Sequence, residues 1–139
     1  MSPGIDMPVE LEMVLRLLMA TALGAIIGYQ RERAGKPAGL RTVVLVCVGA
    51  AVFTMASIYG FGAVADPSRV AAGIVVGIGF LGAGAIIRQQ GGAVEGLTTA
   101  ATIWVAAGIG LAAGAGLYLI SAIAAVIILI VLFLPHPIR

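Results

Sequence analysis

The chain has 139 residues, of which 61% are hydrophobic and 10% charged, with a formal net charge of +2. A water-soluble domain carries about 25% charged residues, so this composition excludes a surface wetted on all sides and points to an integral membrane protein. The small, dispersed positive charge excludes a nucleic-acid footprint, and a single cysteine, Cys47, excludes a disulfide framework or a thiolate metal cluster within one chain.

The opening stretch carries Asp6, Glu10 and Glu12 and no Lys or Arg. A signal peptide needs a basic start, so the first apolar segment, about 11–29, reads as a retained span. It contains Arg16, the one full charge away from the edge of a hydrophobic segment. Glu12 lies four residues earlier, on the same helical face and in the favourable acid-first order. Arg16 therefore reads as snorkelling to the outer interface and pairing with Glu12; the alternative is a role in a pathway through the membrane. Gly24 and Gly28 form a small-xxx-small pair.

The loop 30–41 holds Arg31, Arg33, Lys36 and Arg41, with Gly35, Pro37 and Gly39 breaking any continuous helix. Short loops rich in Lys and Arg stay cytoplasmic. A second span follows at about 42–60, and the loop after it, 61–68, carries only Asp66 and is expected outside.

The third span, about 70–87, lies between Arg69 and Arg88 and contains Gly73, Gly77, Gly79, Gly82 and Gly84. Glycine in a helix costs about 1 kcal/mol against alanine. Five of them predict that neighbouring backbones come very close, or that the helix breaks around a cavity; this stretch is expected to be the central helix of the bundle. Gly77-Ile78-Gly79-Phe80-Leu81-Gly82 spells the dinucleotide fingerprint, but no strand feeds it and apolar residues flank it, so the motif reads as packing.

From Leu97 to Leu134 there is no charge. As one helix this would be about 57 Å long, nearly twice a hydrocarbon core of about 30 Å. A turn at Gly114-Ala115-Gly116 gives spans at about 98–113 and 117–134, with Pro135 and Pro137 ending the last. The fourth segment is short and holds Thr98, Thr99 and Thr102, so a re-entrant hairpin is the alternative there. In this layout Arg31, Arg33, Lys36, Arg41, Arg88 and Arg139 fall inside and Arg69 outside. The expected fold is an all-α membrane protein, a single transmembrane domain over 1–139. It forms a compact bundle of about five transmembrane helices, with the N-terminus outside and the C-terminus cytoplasmic.

The only histidine, His136, lies between two prolines, and no carboxylate falls deep within a span, Glu12 standing at the outer edge of the first. An activated nucleophile needs a neighbouring base, and Mg²⁺ prefers carboxylate and water oxygens. No enzyme, cofactor or metal site is expected; a carbonyl-lined path at a broken helix is the remaining route for a cation. One polar constellation stands at the cytoplasmic edge: Arg31, Glu32, Arg33, Arg41, Thr42, Arg88, Glu95, Thr98, Thr99 and Thr102, with Tyr29 and Gln30 beside it. One reading makes these groups topology anchors, the threonines bonding back to their own helix. The other makes them a cytoplasm-facing pocket, basic on balance, for an anionic lipid headgroup, a phosphate-bearing ligand or an acidic partner segment.

Gln30-Arg31-Glu32-Arg33 with Ala38-Gly39-Leu40-Arg41-Thr42, then the glycine run 77–84, then Gly96-Leu97-Thr98-Thr99-Ala100-Ala101-Thr102-Ile103-Trp104, resemble the membrane domain of the MgtC/SapB family over about 11–134. The resemblance implies a multi-pass protein of the bacterial inner membrane. Members with the MgtC name are associated with growth in low magnesium and survival inside macrophages, through contact with other membrane proteins and not by carrying Mg²⁺. MgtC-type members continue into a soluble cytoplasmic domain, so a chain ending at Arg139 is expected to be a short form or a truncated piece. Val43 and Val105 stand where such members commonly have Asn and can have Cys.

Two functions are carried forward. The first is a non-enzymatic regulator that docks in the bilayer against another membrane protein or itself as a homo-oligomer, with anionic lipid at the inner leaflet as a further partner. The alternative is a small transporter or channel whose inner vestibule is the polar cluster.

Overall fold

A computed structural model of the chain describes residues 8–88 and 94–135, with 87, 88, 94 and 95 described by backbone alone. Among these residues five helices form an all-α bundle: α1 Val9–Arg33, α2 Leu40–Tyr59, α3 Ser68–Ala85, α4 Leu97–Gly114 and α5 Tyr118–Phe133. The first four are long and apolar enough to cross a membrane; α5, with 16 residues, is shorter, about 24 Å by helical rise. A small antiparallel ribbon, β1 Ile87–Arg88 against β2 Val94–Glu95, joins α3 to α4. Two-residue strands carry too little pattern to be read from sequence.

Helix α1 buries one stripe, Arg16, Ala20, Leu23, Gly24, Ile27, Gly28 and Arg31, at the three-and-four spacing of a single helical face. That stripe packs on α2, where Val43, Cys47, Ala50 and Ala51 are buried. The outward faces are apolar too: Leu45 of α2, Phe80 of α3 and Leu119 of α5 are 71%, 81% and 71% exposed. A helix apolar on both faces, inside and out, has lipid as its solvent.

The hub of the bundle is α4, which touches all four other helices, and not α3 as the glycine content predicts. Helix α3 buries only Gly82 and leans mainly on α4. The glycine principle holds elsewhere. A Cβ on Gly110 of α4 would lie 2.1 Å from the Cys47 carbonyl oxygen, and one on Gly114 would lie 2.8 Å from that of Ala51. Gly24 and Gly28 likewise bring α1 against Cys47 and Leu40 of α2. Small residues four apart let backbones touch, which substitutes for the hydrophobic drive that lipid cannot supply. Helix α4 is uninterrupted from Leu97 to Gly114 and half buried, so it is one helix and no re-entrant hairpin. It turns into α5 through Gly116, at φ +86°, a left-handed position that glycine adopts without strain.

Candidate functional site

At the end of α1 that carries the basic loop, the stripe terminates in Arg31, only 3% exposed. One terminal nitrogen of its guanidinium donates to the Pro37 carbonyl at 2.8 Å and to the Thr99 hydroxyl in the first turn of α4. The loop folds over this arginine because Gly35, at φ +68°, reverses the chain, and the Lys36 N–H returns to the Arg31 carbonyl at 3.0 Å. Next to it, a Glu32 carboxylate oxygen accepts the Leu40 N–H at 3.0 Å. An acid here compensates the positive end of α2, which has no other side-chain cap.

The remaining predicted residues divide. Arg33 turns outward, donating to the Tyr29 hydroxyl at 2.9 Å with its guanidinium over that ring. Arg41, Thr42 and Thr98 are exposed. Thr102 is buried, and its hydroxyl donates to the Thr98 carbonyl of its own helix at 2.7 Å. The side chains of Arg88 and Glu95 lie outside the described residues. The structure thus brings together Arg31, Thr99 and, alongside, Glu32, and does not gather Arg33, Arg41, Thr42, Thr98 or Thr102 with them. One turn deeper, Ile27, Val43 and Ile103 are buried in the apolar core, so the polar cluster is shallow.

Of the five glycines expected to pack α3, only Gly82 meets a neighbouring helix, Ala100 of α4. Gly73, Gly77, Gly79 and Gly84 have nothing within 4 Å. Within one chain the expected crowding of α3 is therefore absent at these four positions, because α3 lies at the periphery with little contact to α2. Between α2 and α3 runs an apolar groove of about 540 Å³, with Gly49, Phe53, Gly73, Gly77 and Leu81 among its walls. A smaller apolar cavity of about 190 Å³ separates α3 from α4 beside Trp104 and Gly108. Among the described residues, no three His, Cys, Asp or Glu side chains gather as a metal site.

A second polar centre, missed as a site from sequence, sits at the other end of the bundle. Arg16 pairs with Glu12 as expected, but it does not snorkel out: it is 7% exposed. Its guanidinium donates to the Gly114 carbonyl at 3.0 Å, lies 5.4 Å from the centre of the Tyr59 ring and fits against Gly116. The signal was available, since the last carbonyls of α4 need donors and the expected layout puts Arg16 at the same end of the bundle as the end of α4.

The chain is similar in sequence to several known proteins. The chain is 45% identical to the protein named "Putative magnesium transporter YhiD" of Escherichia coli (strain K12), over 90% of this chain and 61% of that protein. It is 40% identical to "Protein SapB" of Bacillus subtilis (strain 168), over 94% of this chain and 60% of the other. It is 50% identical to "Protein MgtC" of Salmonella typhimurium (strain LT2), over 84% and 49%. The chain thus spans about half to three fifths of the length of these relatives. No solved structure matches it. The profile of the MgtC family matches residues 17–139, nearly the whole stretch that builds the five helices, and the chain belongs to that family.

Proposed function

We propose that this chain is a non-enzymatic interaction module of the bacterial inner membrane, with its basic loop in the cytoplasm and its N-terminus outside. It docks in the bilayer against another membrane protein or a second copy. The observation that carries this reading is a contrast between two places. The polar cluster is shallow, with Arg31 bonded to Pro37 and Thr99 above an apolar plug of Ile27, Val43 and Ile103. Helix α3, by contrast, leaves Gly73 and Gly77 bare beside an apolar groove. Small residues with nothing against them are the surface that a transmembrane partner helix uses. Links to low-magnesium adaptation and virulence come to this chain only through its family.

The test is crosslinking in native membranes from a cysteine placed at Gly77. Adducts above monomer mass are expected, and their loss in Gly73→Leu. Recovery of monomer alone, across several expression levels, would overturn the reading. The alternative is transport, which the name of the E. coli relative carries. Flux of Mg²⁺ or phosphate into proteoliposomes that Thr99→Val abolishes would favour it over docking.

A further inference from the structure

We infer that Arg31 and the first turn of α4 form a binding site for the oxyanion of a phosphate group, belonging either to a phospholipid headgroup or to free phosphate. The inference does not depend on what docks at α3.

Among the side chains the structure describes, no carboxylate lies within ion-pair distance of the buried Arg31. Among the described residues its hydrogen bonds leave from one terminal nitrogen and end on neutral oxygens, the Pro37 carbonyl and the Thr99 hydroxyl. The Nε–H is buried and has no acceptor. A buried charge without a counter-charge is costly, and an orphaned charged donor adds to that cost.

The place where this arginine lies compounds the imbalance. Thr99 is in the first turn of α4, whose N-terminus no side chain caps; the residue before the helix is Gly96, at φ +94°. The first N–H groups of a helix lack intrahelical acceptors and carry about half a positive charge. Arg31 thus holds its guanidinium against the positive end of a helix, two like features that only an anion reconciles.

The surroundings are also one-sided. The basic loop and the helix ends that flank it carry Arg33, Lys36 and Arg41, all exposed, and Glu32 is engaged by the Leu40 N–H. A tetrahedral oxyanion can take several N–H donors at once, which guanidinium and helix amides together supply. In a bilayer this level is that of the headgroups, where anionic lipid gathers basic segments.

The experiment uses the full chain in dodecyl maltoside micelles, which carry no phosphate, with thermal unfolding as the readout. One arm adds inorganic phosphate against chloride of equal ionic strength; the other adds phosphatidylglycerol to the micelles. A saturable rise in Tm is expected in at least one arm. A rise with phosphatidylglycerol alone assigns a headgroup, and one with inorganic phosphate alone assigns a free anion. No rise in either arm overturns the site. Arg31→Lys keeps the charge but loses the planar fork, and the apparent affinity is expected to fall about tenfold, roughly 1.4 kcal/mol. Unchanged affinity in that variant would also overturn it. Arg33→Gln serves as a control that leaves the buried cation in place and is expected to retain saturable binding. Glu95→Gln tests whether the chain's own carboxylate fills the position: binding that appears only in this variant would refute a ligand site in the native chain.

Discussion

Arg16 and Gly114 stand 98 positions apart in the chain and are joined by a 3.0 Å hydrogen bond from guanidinium to carbonyl. The bond fastens α1 to the last turn of α4, and Glu12 neutralises the charge that makes it. Arg16→Met leaves Glu12 without its counter-ion and Gly114 without its donor, so a loss of about 3 kcal/mol is expected, at the lower end for a buried pair. Glu12 is partly exposed, so Glu12→Gln is expected to cost about 1 kcal/mol. Unfolding in mixed micelles measures both.

The contact of α4 with α2 depends on the absence of a side chain at one position. Gly110→Ala would drive a Cβ to 2.1 Å from the Cys47 carbonyl oxygen, whereas Gly108 in the same helix has open space around it. Overpacking against backbone that cannot move is expected to cost Gly110→Ala about 3 kcal/mol or more. Gly108→Ala is expected to be neutral or stabilising by up to about 1 kcal/mol, through helix propensity alone. Paired Tm measurements on the two variants check the contrast.

The two buried threonines of α4 have different partners and should respond differently. Thr99 accepts from Arg31, while Thr102 bonds back to Thr98 within its own helix. Thr99→Val removes an acceptor from a buried cation and is expected to cost about 2 kcal/mol. Thr102→Val keeps shape and leaves only a helix carbonyl behind, for under about 1 kcal/mol.

Much of the architecture could be read from sequence because it rests on charge placement and span length. The five helices follow from apolar runs bounded by Arg31 to Arg41, by Arg69, and by Gly114 to Gly116. The position of α3 could not be read, because glycine content reports that a backbone can be approached and not which helix approaches it. Gly110 and Gly77 look alike in the chain; one lies against Cys47 and the other faces the groove. At the candidate site, residue types were legible but directions were not. Arg31 and Arg33 are two apart, about 200° around a helix, so one is buried against Thr99 and the other sits outside on Tyr29.

The one acid in the loop between α2 and α3 titrates low. The Ser68 hydroxyl and N–H both donate to an Asp66 carboxylate oxygen, at 2.8 and 3.0 Å, and hold its pKa below the usual 3.8. Because the folded value is depressed, the stabilisation is present above the ordinary carboxylate value and is lost as pH falls through the lowered one. Ser68→Ala removes the hydroxyl bond and is expected to move the titration back toward the ordinary value, as followed by carboxyl NMR shifts. An unchanged titration would contradict this origin.

Cys47 sits at the crossing of α2 and α4, wholly enclosed, with its sulfur donating to the Ala106 carbonyl at 3.2 Å. A thiol sealed in this way is expected to be silent toward maleimides in intact membranes. The native sequence then serves as its own cysteine-less background, and single cysteines introduced at Lys36 and Phe61 are expected to label from opposite faces. Mass spectrometry after labelling of intact cells, compared with inverted vesicles, reads out the orientation of the chain without altering a residue buried at the helix crossing.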